Sequence, residues 1–151
     1  MGIQISPANL PILPKIVDTH FEGLDVVIET EAGQIRQPFP AKLLPGDLEN
    51  YDEENGVFFV YDDHEEKVVE MTPEQAFENL NYSDLYYQLG VCYRFTYEYM
   101  EPESIIRRPR KQHVYANCLT EAHKEFSRLT DTSAGVVTLI SRVENGIEYG
   151  F

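Results

Sequence analysis

The sequence predicts an α+β fold: a mixed, largely antiparallel sheet or sheets, two helices packed on them, and a C-terminal β-β-α-β unit. Three observations predict it. Val91, Tyr93, Phe95, Tyr97 and Tyr99 alternate with Cys92, Arg94, Thr96 and Glu98, the period of a strand with two unlike faces. Leu119, Ala122, Phe126 and Leu129 recur at three- and four-residue steps, the stripe of an amphipathic helix. Thr72-Pro73-Glu74-Gln75 joins a capping threonine, a proline at the first helical position and a glutamine three residues after the cap.

The elements follow in order along what reads as a single domain over residues 1–151. Residues 1–20 hold Pro7, Pro11 and Pro14 among apolar residues; proline at that density removes ladder donors, so an extended arm lying on the domain is expected. Residues 21–90 form a β-rich acidic half ending in a helix. Leu24, Val26 and Ile28 alternate, and Glu31-Ala32-Gly33-Gln34 separates them from the run Ile35–Phe39, a hairpin pattern. Pro38, Pro40, Pro45 and Gly46 end regular structure. An acidic loop over 47–56 precedes the uninterrupted apolar strand of GVFFVY, and a second acidic turn over 62–66 leads to a strand over 67–71. The capping box opens a helix with Ala76, Phe77 and Leu80 on its apolar side. A further turn or two over 82–89 stops at Gly90. Residues 91–151 form the β-β-α-β half: the tyrosine strand, a loop over 101–109, a strand over 111–116, the helix over 118–129, and an apolar strand over 136–143. If its last two strands run parallel in one sheet, the crossover between them is right-handed.

Charge narrows the function classes. Twelve basic residues face twenty-six carboxylates, a net charge of −14, and such a surface repels phosphates, so direct nucleic-acid binding is excluded as the expectation. No run of eighteen apolar residues is present, so no membrane span is expected. No basic start followed by an apolar stretch marks a signal peptide, and Cys92 and Cys118 stand far apart, outside a disulfide framework or a metal knuckle. The expected location is the cytoplasm, or the host cytoplasm for a phage-encoded chain.

No catalytic residue, cofactor or metal is expected. Phosphate-binding loops, GxSxG and HExxH are absent. A calcium loop starting at Asn50 fails, because its sixth position is Asn55 where glycine is needed and its twelfth is Tyr61 where a bidentate glutamate is needed. Asp18-Thr19-His20 and Asp62-Asp63-His64-Glu65 place His20 and His64 beside carboxylates, yet both stretches read as exposed turns. His113 and His123 read as structural or surface histidines. Cys118, at a helix start, reads as a small side chain.

The C-terminal stretches YRFTYEY, KQHVYAN, EAHKEF and VVTLISRVE resemble a small β-β-α-β module of short bacteriophage and mobile-element accessory proteins. The resemblance covers about forty per cent of the chain. It implies an accessory role and transfers no functional residue.

The sharpest positional signal is acidity. Between Asp47 and Glu78 there are twelve carboxylates and one base, Lys67. Asp47, Glu49, Asp52, Glu53, Glu54, Asp62, Asp63, Glu65 and Glu66 are therefore the expected partner-binding residues: carboxylates along a surface imitate phosphates and occupy a cleft built for nucleic acid. The expected partner is a basic protein such as a nuclease, a polymerase or a restriction or defence complex, which the chain inhibits or modulates. Arg107, Arg108, Arg110 and Lys111 supply four of the twelve bases. With Tyr97 and Tyr99 they form the expected secondary interface, toward a mixed-charge partner or a second copy of the chain. Alternatively, the cluster is a counter-charge to Glu101, Glu103 or an acidic turn. Two rival classes stand beside this reading. One is a ligand-binding protein or enzyme with a pocket of tyrosine, histidine and carboxylate side chains, and the other is a virion or assembly subunit.

Overall fold

Alternation and turn chemistry produce ten strands and three helices among the described residues, which in this computed structural model are 10–44, 50–78, 80–100 and 108–150. All strand pairings among them are antiparallel, in three separate sheets. No helix is long and apolar enough to cross a membrane. The chain divides into two compact units, residues 15–85 and residues 10–14 with 86–150.

In the first unit, strands β1 (Ile16–Glu22), β2 (Asp25–Thr30) and β3 (Gly33–Pro38) form one sheet in that order. The predicted hairpin is β2–β3, closed by Glu31 and Ala32 between the paired Thr30 and Gly33. Strand β1 takes in the last five residues, 16–20, of the stretch read as an arm and includes Asp18-Thr19-His20, read as a turn. Beyond Pro14 every residue up to Glu22 can donate to a ladder, and β2 supplies the partner. A single 3₁₀ turn, Ala41–Leu43, follows. Strands β4 (Tyr51–Asp52), β5 (Val57–Asp62) and β6 (Lys67–Met71) make the second sheet, again in chain order. The capping box forms as predicted: Gln75 N donates to Thr72 Oγ1 at 3.2 Å, and Thr72 N donates to Gln75 Oε1 at 3.0 Å. Helix α1 nevertheless lasts only from Pro73 to Ala76. Phe77 leaves it to stack on Phe39, with centroids 4.3 Å apart and planes 11° from parallel, and Phe21 approaches Phe77 at 4.7 Å. These rings tie the segment after β6 to the first sheet.

Helix α2 covers Tyr82–Gln88. The Asn81 side chain caps it, accepting from Ser83 N at 3.0 Å and Asp84 N at 3.3 Å. Gly90, at φ +75°, then ends the turn.

The second unit carries β7 (Tyr93–Met100), β8 (Pro109–Ala116), α3 (Leu119–Thr130), β9 (Val136–Glu144) and β10 (Ile147–Gly150). Sheet order is β10-β9-β7-β8. Both β8 and β9 run antiparallel to β7, so α3 joins two strands of like direction with β7 between them. Tyr93, Phe95 and Tyr97 pack with Val114 and Ile140 against Ala122 and Phe126 of α3, and Leu10 and Leu13 close the same core. Leu13 exchanges bonds with Asn117, at 3.0 Å from its N–H and 3.1 Å to its carbonyl, so residues 10–14 lie on this unit as an arm. The opposite sheet face is covered near Cys92 and Val143 by Tyr87, whose hydroxyl donates to buried Ser141 Oγ at 2.9 Å. Strand β10 lies beyond the last strand expected. Asn145 at φ +52° and Gly146 at φ +78° make the tight turn that brings it back, and Asn-Gly is a strong sequence signal for such a hairpin.

Candidate interaction surface

Strand β5 organises the acidic region. Asp52 pairs with Val57 and Asp62 with Lys67, so the turns 53–56 and 63–66 close opposite ends of β5. Five residue steps from Val57 to Asp62 put the two turns about 17 Å apart. Tyr51 to Met71 hold eight carboxylates and one lysine. Glu53, Glu54, Asp63, Glu65 and Glu66 are exposed. Lys67 meets Glu65 at 3.2 Å, an exposed pair that contributes little to stability.

The two turns are built alike. The Asp52 carboxylate accepts from Glu54 N at 3.0 Å, Asn55 N at 3.3 Å and Asn55 Nδ2 at 2.7 Å. The Asn55 side chain foremost, then the backbone amides, lower the Asp52 pKa below its ordinary value. The Asp62 carboxylate accepts from His64 N at 2.9 Å and Glu65 N at 3.3 Å. These two carboxylates hold the turns. The last residue of each turn is left-handed: Gly56 at φ +64° in one, Glu66 at φ +54° in the other. Glycine accepts that conformation without strain, whereas a side-chain-bearing residue is strained there by about 1 kcal/mol.

Between the turns, one face of the β5–β6 ribbon is open and mostly apolar, with Glu70 its one charged residue among the paired positions. Tyr61 lies opposite Val68, and Phe59 opposite Glu70; Phe59, Tyr61 and Val68 are exposed. Phe58, on the other face, is buried and packs against Tyr51, with centroids 4.8 Å apart. Sequence reasoning passed over the open face because GVFFVY is an uninterrupted apolar run, with no alternation to mark a face left in water. The usable signal was the pair of charged turns, which leaves this short ribbon water on one side.

Asp47, Glu49 and Arg107 lie outside the described residues, as do Glu101 and Glu103, the expected counter-charges. Arg108, Arg110 and Lys111 are exposed at the start of β8, an edge strand. Arg108 and Lys111 make no ion pair among the described residues. Tyr97 is a correction: it is wholly buried, stacked on Phe126 at 4.3 Å, and its hydroxyl bonds His123 Nδ1 at 2.8 Å. It offers no surface to a partner, because alternation sorts residues onto two faces without saying which face a helix covers. Tyr99 is half-buried, its ring edge-on to Phe126 at 5.4 Å.

The histidines do not converge on a site. His20 is exposed on β1 and His64 in the second acidic turn, while His113 Nδ1 bonds Thr96 Oγ1 at 3.0 Å. Among the described residues no three His, Cys, Asp or Glu side chains gather to hold a metal ion. Cys118 is the residue before α3 and makes no side-chain cap. Buried Cys92 has its thiol pushed up to about 12 by desolvation. A groove of about 370 Å³ lies between Met100, Pro109 and Val136; Glu98 and Tyr99 are its ionisable lining groups. It includes neither His20 nor His64.

No protein-family model matches this sequence, and no curated protein or solved structure matches it either. The functional reading therefore stands on the charge and geometry of the β4–β5–β6 sheet.

Proposed function

We propose that the chain is a non-enzymatic interaction protein that binds a basic, nucleic-acid-handling protein and inhibits or modulates it through the β4–β5–β6 sheet. The observation behind this reading is the carboxylate-rich turn at each end of β5. Their separation of about 17 Å corresponds to about five phosphate steps along one DNA strand. A cleft whose positive potential holds nucleic acid attracts the same spacing of charge on a protein. Glu66 adds support, because a carboxylate occupies the left-handed position that Gly56 fills without strain in the matching turn. The resemblance of the C-terminal half to phage and mobile-element modules fits an accessory protein acting in a host cytoplasm on a nuclease, polymerase or restriction complex.

The test is affinity capture from a bacterial lysate at low and high salt, with wild type beside a variant carrying Asp52→Asn, Glu53→Gln, Asp62→Asn and Asp63→Asn. Asparagine keeps an acceptor oxygen in each turn, so the fold survives while four charges are lost. The expected result is a basic protein held by wild type, released by salt, and bound at least about tenfold more weakly by the variant. Equal capture by both chains defeats the proposal.

A further inference from the structure

The charged turns do not explain why the open face of the ribbon between them is mostly apolar. An antiparallel ribbon with one face in water ordinarily places polar residues outward. Here three of the four outward cross-strand residues are apolar, Phe59, Tyr61 and Val68, 39%, 58% and 60% exposed, and the fourth, Glu70 opposite Phe59, adds a carboxylate to the rim. The inward positions Phe58, Val60, Val69 and Met71 are apolar as well, so hydrophobicity alone does not distinguish the two faces. A contiguous outward patch of this kind, rimmed by charge, is the surface pattern of a contact site.

The rim selects the occupant. A second copy seated on this face would bring its own eight carboxylates against the first set, and like charge opposes that contact. Nucleic acid and anionic lipid are repelled for the same reason. A protein with lysine and arginine around an apolar pocket is attracted by the rim and desolvated by the centre. We infer that Phe59, Tyr61 and Val68 are the anchor of the proposed interface, seating in an apolar pocket ringed by basic side chains on the partner protein. The inference rests on the acidic-surface reading and deepens it: charge steers the encounter, and the aromatic and aliphatic anchor sets the lifetime of the complex.

Two short basic peptides serve as probes, one alternating lysine with valine and one alternating lysine with serine. Their binding to the full chain is measured at about 50 mM and about 300 mM salt. Wild type is expected to bind the lysine–valine peptide about tenfold more tightly, with a part of that binding surviving high salt. The double variant Tyr61→Ser with Val68→Thr is expected to lose this advantage while binding the lysine–serine peptide as before. Both positions are exposed, so the variant keeps its fold; Val68→Thr alone, nearly unchanged in shape, is a second variant with a smaller loss in the same direction. Equal affinity of wild type for the two peptides, unaffected by the double variant, overturns the anchor and leaves the acidic reading intact. Failure of wild type to bind either peptide overturns both. A wild-type dimer in sedimentation that becomes monomeric in the double variant shows a second copy on this face and overturns the inference.

Discussion

Asp52 and Asp62 cap opposite ends of β5 in the same way. Each carboxylate accepts the backbone N–H groups two and three residues ahead, at 3.0 and 3.3 Å for Asp52 and at 2.9 and 3.3 Å for Asp62. Structure and charge therefore meet in one side chain, and substitution separates them. Asn at either position retains the acceptor, so thermal unfolding should barely move while salt-dependent binding weakens. Asp62→Ala loses the acceptor and should lower the unfolding temperature by about 1–3 °C. The lowered Asp52 pKa also fixes a sign. Its contribution is complete above the ordinary carboxylate value and is lost as pH falls through the lowered folded value. An acid titration should show Asp52→Asn losing less stability below pH 4 than wild type.

Glu66→Gly separates stability from binding in the opposite sense. Relief of the left-handed strain should stabilise the chain by about 1 kcal/mol in urea unfolding. Removal of one rim carboxylate should weaken capture of a basic partner. A variant that is both less stable and equally well bound would show that Glu66 holds the turn by a contact of its own.

Burial of Tyr97 and Cys92 predicts an alkaline transition. Desolvation pushes the Tyr97 phenol from 10.0 to about 12 and the Cys92 thiol from 9.0 to about 12. Both are neutral when protonated, and the folded state holds those protons more tightly than the unfolded state does. Their contribution is complete below the unfolded values and is lost as pH rises, from 9 for the thiol and 10 for the phenol, through about 12. Urea unfolding between about pH 8 and pH 11.5 should show wild-type stability falling, with a shallower slope above pH 10 in Tyr97→Phe. At neutral pH that variant should lose about 1 kcal/mol with the His123 bond.

Two glycines are set by atoms packed close against them. Gly90 has φ +75°, and a Cβ there would overlap the Val143 carbonyl; at Gly135 a Cβ would overlap the Phe126 ring. Gly90→Ala should cost about 2–4 kcal/mol, because strain and overlap add. Gly135→Ala should cost about 1–3 kcal/mol, because the ring can shift. Urea denaturation measures both. Gly23→Ala is the contrast: Gly23 has a similar φ of +60° with open space around it, so only the backbone cost remains.

The sequence by itself determined the α+β class, the β2–β3 and β5–β6 hairpins, the capping box at Thr72, and the order β7-β8-α3-β9. These are local: period-two and period-four patterns and turn residues act over a few positions. Asn145-Gly146 was equally local and simply unread, which is why β10 was missed. The acidic stretch was legible in composition, and its position around β5 in the turn residues. Only the tertiary structure decided which faces are covered. It buried Tyr97 beneath α3, shortened α1 so that Phe77 could stack on Phe39, turned residues 16–22 into a strand by supplying β2 as partner, and left Phe59, Tyr61 and Val68 in water. Burial depends on which surface arrives opposite a strand, and that surface comes from residues far along the chain, where alternation carries no information.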